Sequence, residues 1–363
     1  MKRLLCIVSS LDTGGAETFM MKIFRALSQN YKLDFVVSTD TGFYEDEVKE
    51  LGGKIYRVPL RTKQPLQTFK EIKKIVKNNN YKTVLKLCDT PIGIFDLLAA
   101  KCGGAKKLCV RSCNASSSES KIKHIIYKIL RPFFNAITDI KIAPSRLAAE
   151  YTFGDNIVKK GKVIFLHNAV DLKTYYFNEE GRNKIRNEFN IDKNQFVIGH
   201  IGRFNDQKNH SFLLDVFKNI NEKDPNSVLI LVGNGEKKEE IISKIKELDL
   251  EKSVILTGVR SDITNLLSAM DVFVFPSFYE GMPNTIIEAQ ATGLPCVLSD
   301  SITKEARITD LLQYLSLEVP SSEWCKVTLN SRIKIRKQPI KNFIESGYTM
   351  DNVAKDFIKI FFS

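Results

Sequence analysis

The stretch VFVFPSFYEGMPNTIIEAQATGLPCVLS, residues 272–299, spells a strand, a helix and a second strand. VFVF and CVLS are short apolar runs of the kind found in buried strands. Between them NTIIEAQAT carries apolar residues at helical spacing. Pro283 suits the first helical position, where its missing N–H costs nothing. Gly293, with Pro295 beyond it, ends the helix. One β–α–β unit therefore reads directly from the chain.

The same alternation extends outward in both directions. RLLCIVS, KLDFVVS, KIYRVP, TVLKLC, KKLCVRS, IKIAPS and KVIFLHN read as buried strands in the first half. FVIGHIGR, SVLILVGNG, SVILTG, VFVFPS and PCVLS do so in the second. Amphipathic stretches such as AETFMMKIFRALSQNY lie between them. Strands alternating with helices predict parallel sheets covered on both faces. The fold expected is α/β, two tandem doubly wound Rossmann-like domains facing across a cleft. The boundaries expected are 1–170 for the first domain, completed by a C-terminal helix over 348–363, a polar linker over 171–194, and a second domain over 195–347. Ligands of such sheets bind beyond the carboxyl ends of the strands.

Composition narrows the function classes. The chain has 363 residues and a net charge of +12. Residues 1–170 hold 29 Lys and Arg against 15 Asp and Glu, whereas residues 171–363 hold 25 against 27. Within 51–162 the balance is 23 to 7. The first half should favour an anionic partner such as a lipid phosphate, an anionic bilayer or a nucleic acid, or else carry a solvated lysine-rich surface. No apolar run approaches the length of a membrane span. MKRLLCIVSSLD imitates a leader peptide, but Leu4 to Val8 is too short for its apolar core, so it reads as a first strand. Seven scattered cysteines without a C-x-x-C pair read as thiols of a reducing compartment. No metal-ligand spacing is present.

Two glutamates bracket the helix start in the opening stretch. Glu280 lies in the loop before it. Glu288 lies about one and a half turns inside, with its side chain leaning toward the N-terminus. Between them are the helix-start N–H groups around Gly281, Met282 and Asn284, backed by the positive end of the helix dipole, which together make an anion site. A phosphate there, with hydroxyl-rich groups on either side, describes a nucleotide-sugar. Taken alone, the stretch fits an ordinary strand–turn–helix with surface glutamates equally well. GHIGRFNDQKNH, 199–210, adds Gly202 for a close turn and Arg203 and Lys208 as cations for a diphosphate. Those two also fit a solvated loop. LVGNGE, with Gly233, fits a plain turn. SLDTGGAE, 10–17, lacks the spacing of a dinucleotide fingerprint, although Gly14 and Gly15 suit close backbone approach to a ligand.

Taken in order, GGAE, GRF…QKN, GNGE, TGVRSDI and YEGMPNTIIEA resemble the motifs of family 4 retaining glycosyltransferases of the GT-B fold, over nearly the whole chain. The ending GLPCVLSDSITKEARITDLLQYLSLEVPSSEW is similar to members that build capsular or exopolysaccharide repeat units. The resemblance implies that Arg203 and Lys208 bind the donor diphosphate and stabilise its leaving charge. It implies that Glu288 holds the ribose hydroxyls, Glu280 the transferred sugar, and the amides at Gly281, Met282 and Asn284 the phosphate. Gly233 and the backbone at Val259 and Arg260 would border the base, and Gly14 and Gly15 would approach from the other domain. The donor implied is a nucleotide-sugar, UDP first among the bases. The acceptor implied is a polyprenyl-diphosphate-linked saccharide at the cytoplasmic face of the plasma membrane, with no cofactor and no nucleic acid. One departure stands out. The resemblance implies, for many members of the family, a histidine near VRSCNASSSES, 110–120, where this chain has Arg111, Cys113 and Asn114.

With no Asp-x-Asp dyad after a strand, the chain is expected to work without a metal. SKIKHIIYKILRPFF, 120–134, reads either as an interfacial helix or as a buried helix with a basic rim. A nucleotide-sugar epimerase of the same fold is the alternative enzyme, though it needs no basic acceptor half. A nucleic-acid-binding reading lacks any stacking or zinc pattern.

Overall fold

The computed structural model of the chain describes residues 2–88, 90–113, 121–332 and 336–362, with the backbone alone at 121 and 122. One sheet contains β1 (Lys2–Ile7), β2 (Tyr31–Val37), β3 (Ile55–Arg57), β4 (Thr83–Leu87), β5 (Lys107–Arg111), β6 (Ile140–Ala143) and β7 (Ile164–Phe165). A second contains β8 (Phe196–Ile201), β9 (Ser227–Val232), β10 (Val254–Gly258), β11 (Val272–Phe275), β12 (Cys296–Ser299) and β13 (Leu312–Leu315). Their orders are β3-β2-β1-β4-β5-β6-β7 and β10-β9-β8-β11-β12-β13. All their pairings are parallel. This is the doubly wound α/β architecture twice over.

Each strand order reverses once, at β1/β4 and at β8/β11. Chain leaving neighbouring strands at such a point turns to opposite faces of the sheet and opens a crevice at the carboxyl ends. Both sheets are buried on both faces, which is why their strands read as continuous apolar runs. In β1, Leu4 and Cys6 join one core while Leu5 and Ile7 join the other. In β8, Val197 and Ile201 likewise part from Phe196 and Ile198.

The chain divides into Met1–Ala169 with Met350–Ser363, and Val170–Thr349. Helix Met350–Phe361 buries Val353 and Phe357 in the first unit, and the Tyr31 and Phe362 rings stack at 4.3 Å. The stretch 171–194 is folded into the second unit instead of forming a linker. Helix Glu179–Glu188 lies there, and its Arg182 and Arg186 both reach Asp271, at 2.7 and 2.9 Å. Arg182 also donates to the carbonyls of Ser268 and Ala269 at the end of helix Ile263–Ala269, where a cation complements the helix dipole. Strand β13 escaped the sequence reading. It is a short edge strand with Gln313 exposed, so it lacks the fully apolar run of its neighbours.

Of the stretch 120–134, residues 121–134 fall in helix Lys121–Ile137. Tyr127 and Phe134 turn inward, while Ile125 and Ile129, at 59% and 62%, and Ile126 and Phe133 are exposed beside Lys123 and Lys128. It is thus not a buried helix with a basic rim. None of the seven described cysteines forms a disulfide, and Cys6, Cys109, Cys296 and Cys325 are buried.

Candidate active site

The crevice at β8/β11 brings together two of the expected residues. After β8 the chain turns through Gly202 and forms a 3-10 turn, Asp206–Lys208, capped by the Asn205 side chain. After β11 it runs through 276–283 into helix Asn284–Ala291, so Pro283 caps the helix instead of starting it. Lys208 and Glu280, one from each side, meet with Nζ 2.5 Å from Oε1, both side chains largely buried. The ammonium also sits 4.5 Å from the centre of the Phe275 ring. The two loops are tied further. The Gln207 carbonyl accepts from the Phe278 N–H at 2.9 Å, and Gln207 Nε2 donates to the Tyr279 carbonyl at 2.9 Å. Seventy-two residues of chain separate the paired charges, and the sheet topology closes that gap.

One glycine is demanded by geometry and a second is favoured by close packing. Gly233 has φ +141°, and a Cβ there would lie 2.1 Å from the Gly202 carbonyl oxygen. A Cβ on Gly202 would press on the Lys208 stem at 3.0 Å. The turns after β8, β9 and β10 are laced by backbone bonds: Gly202 N–H to Val232, Phe204 N–H to Asn234 and Gly233 N–H to Gly258. Val259 is exposed at the end of this row. The Arg260 side chain turns away to Glu188 and Asp262, at 2.5 and 2.8 Å. Those carboxylates raise its pKa further above the usual guanidinium range. Only its backbone remains with the row.

Other expected residues stand elsewhere. Arg203 is mostly exposed and pairs with Glu236 at 3.2 Å, not with the Lys208–Glu280 pair. A surface pair of this kind contributes little, so the guanidinium is readily reassigned. Met282 packs its side chain into the apolar core. Glu288 is buried within its helix. Gly14 and Gly15 belong to the first unit, at the start of helix Gly15–Leu27. Gly14 has φ −73°, and its nearest neighbour is the flexible tip of Glu17. Nothing within that unit requires a glycine there.

Comparison with known proteins decides the family. Residues 13–174 match the family model "Glycosyltransferase Family 4", and residues 181–311 match "Glycosyl transferases group 1". EpsF of Bacillus subtilis (strain 168), named as a glycosyltransferase, is 30% identical over 354 residues, 95% of this chain and 91% of the relative. The chain is a family 4 glycosyltransferase of the GT-B fold. The UDP-Gal:alpha-D-GlcNAc-diphosphoundecaprenol alpha-1,3-galactosyltransferase of Escherichia coli is 28% identical to this glycosyltransferase, over 79% of this chain and 76% of its own. Anabaena HepE, solved in complex with UDP and glucose, shares the fold with a TM-score of 0.79 and 18% identity, covering 98% of both chains.

Beneath Lys208 the glycosyltransferase has a layer that the sequence did not announce. His200, fully buried in β8, stacks on Phe275 at 5.3 Å and donates through Nδ1 to the Val274 carbonyl, 2.9 Å away. His210 meets it edge-on at 4.8 Å. His200 Nε2 and both His210 ring nitrogens are buried without a hydrogen-bond partner. Burial, then the His210 and Lys208 charges, hold His200 well below the imidazole range. Burial, then Lys208, brings His210 down to about 4. Both rings are therefore neutral near pH 7, and Lys208 is the cation nearest to them. The only sequence signal for His200 was a polar residue inside an apolar strand, and His210, which opens helix His210–Lys223, gave none. In the stretch 110–120, Arg111 is buried, 3.7 Å over the Phe19 ring and hydrogen-bonded to Asn168 at 2.5 Å. Asn114 to Ser120 lie outside the described residues.

Proposed function

We propose that this glycosyltransferase moves a sugar, with retention, from a UDP-sugar to a lipid-linked saccharide in cell-surface polysaccharide synthesis. The observation that carries the reading is the Lys208–Glu280 pair at a switch point, in front of a helix start. An incoming diphosphate would draw Lys208 from Glu280 and leave the carboxylate to accept from a sugar hydroxyl. Arg203, held only by an exposed partner, would swing onto the same diphosphate. As the bond between the sugar and the diphosphate breaks, preorganised positive charge stabilises the departing oxygen. The acceptor oxygen bonds the anomeric carbon on the same face, and its proton passes to the departing diphosphate oxygen. Glu280 positions the sugar and forms no covalent intermediate. Glu288, the amides at Gly281, Met282 and Asn284, and the row Gly233–Val259–Arg260 would hold ribose, phosphate and base. The charge at the leaving group comes from side chains and a helix start, so no metal is needed.

The E. coli relative's name supports the class of acceptor, a sugar on diphosphoundecaprenol. Among the described residues no helix is long and apolar enough to cross a membrane. The exposed Ile125, Ile126, Ile129 and Phe133 beside Lys123 and Lys128 fit peripheral docking on the anionic inner face of the plasma membrane. A thermal-shift screen of UDP-, GDP- and other nucleotide-sugars tests the donor, because a specific ligand raises Tm by mass action. Full transfer activity in Glu280→Gln would refute its positioning role. Turnover of the nucleotide-sugar to an epimer without acceptor would favour an epimerase instead. Failure to float with anionic liposomes at low salt would remove the membrane arm.

A further inference from the structure

The first sheet has its own switch point, β1/β4, and a charged cluster stands there that the donor reading does not use. Lys86 is the penultimate residue of β4, in register with Ile7 of β1. It is almost completely buried. Its Nζ lies 3.0 Å from Oδ2 of Asp96, in the first turn of helix Ile94–Cys102. Arg61, from the loop after β3, reaches the same oxygen with Nη1 at 3.0 Å and keeps about a third of its side chain exposed. Two cations thus share one carboxylate oxygen. Among the described residues these three side chains make no further ionic contact.

A structural tie between loop, strand and helix needs one cation for one carboxylate. Among the described residues, the second cation leaves a net positive charge in a crevice where doubly wound sheets bind ligands. Donor capacity is also in surplus. A guanidinium carries five N–H groups and an ammonium three, and the contacts to Asp96 use one from Arg61 and one from Lys86. The planar fork of arginine suits bidentate contact with phosphate. The surroundings are apolar as well as basic. Leu60, Leu66 and Phe95, exposed at 46%, 78% and 50%, flank Arg61 and Asp96 along the chain, and Lys63 is exposed beside them. A cationic centre on chain segments that also carry open apolar side chains fits a diphosphate carried on a prenyl chain.

We propose that Arg61 and Lys86, bridged by Asp96, form the site that seats the diphosphate of the lipid-linked acceptor. The proposal rests on the acceptor class inferred above and names the residues that would recognise it. The test uses the full-length protein saturated with UDP, so that the donor site is filled. Titration calorimetry with farnesyl diphosphate should show binding, and Arg61→Gln or Lys86→Gln should weaken it about tenfold. Lys86→Arg should retain it. Inorganic pyrophosphate binding as tightly as farnesyl diphosphate would reassign the site to a soluble anion and overturn the lipid assignment. No binding of farnesyl diphosphate to the wild-type protein, or equal binding to Arg61→Gln, would overturn the site itself. In transfer assays, Arg61→Gln should raise KM for a sugar-diphosphoprenol about tenfold more than KM for a phosphate-free alkyl glycoside of the same sugar. Equal effects on the two acceptors would reduce the cluster to a structural tie. Farnesyl diphosphate binding without transfer in the wild-type protein would refute the proposed function and leave the anion site standing. Should Lys86→Gln fail to fold, Arg61→Gln, partly exposed, carries the test alone.

Discussion

The two sheets share one topology and differ in how charge is balanced where the strand order reverses. At β8/β11 one lysine meets one carboxylate, Lys208 on Glu280. At β1/β4 two cations meet one carboxylate, Arg61 and Lys86 on Asp96. A matched pair is close to neutral until a ligand separates it, so its charge is released where the ligand sits. An unmatched cluster is already positive and attracts an anion beforehand. On the two proposed readings, the same backbone solution would serve two kinds of anion recognition, distinguished by a single extra cation.

The largest effect should come from breaking the matched pair. Lys208→Gln should lower kcat/KM about 10²- to 10³-fold, the loss typical of removing one preorganised charge from a developing oxyanion. It should also destabilise the fold by ~3–5 kcal/mol, because Glu280 is left buried without its partner. Adding Glu280→Gln should recover most of the stability and none of the activity. Urea denaturation and transfer kinetics on the two variants separate these outcomes.

A second effect sharpens the contrast through pH. Below about pH 6.5 the unfolded chain protonates its histidines, whereas folded His210 resists down to about 4. The unfolded state then binds more protons, so stability falls as pH drops from about 6.5 to about 4. The expected loss from His210 is about 3 kcal/mol, since each tenfold change in proton affinity is worth roughly 1.4 kcal/mol. His210→Phe should flatten that part of the stability profile, and denaturation at a series of pH values reads it directly. An identical slope in the variant would show that other groups carry the acid sensitivity.

Smaller effects follow. Arg203→Ala should change stability by less than ~0.5 kcal/mol, since its partner Glu236 is exposed. It should still slow transfer, because the diphosphate would lose one cation. Thermal denaturation beside kinetics distinguishes the two. The smallest expected effect is that of chelation. Excess EDTA should leave transfer unchanged, and a strong loss restored by a divalent cation would contradict the metal-independent reading.

Much of the fold was legible because a parallel strand buried on both faces must be apolar along its whole length. Edge strands β3, β7 and β10 were legible as well; β13 was missed because the exposed Gln313 interrupts its short apolar run. The polar stretch 171–194 misled for the complementary reason. Its helix buries only Ile185 as an apolar side chain and is otherwise held by Arg182 and Arg186 on Asp271, and ion pairs leave no periodicity. At the site, Lys208 and Glu280 could each be singled out from its own loop. Arg203 could also be named, but its present partner, Glu236, could not.

By itself the sequence determined the two doubly wound domains, the family and the donor-side loops, since these depend on local patterns of apolar residues, glycines and helix signals. Tertiary structure alone decided which charges meet. Glu280 lies 72 residues from Lys208, and Asp96 lies 35 from Arg61. Only strand order brings such loops to one crevice. The same holds for the neutral His200–His210 layer under Phe275, because burial, not residue type, sets whether an imidazole carries charge.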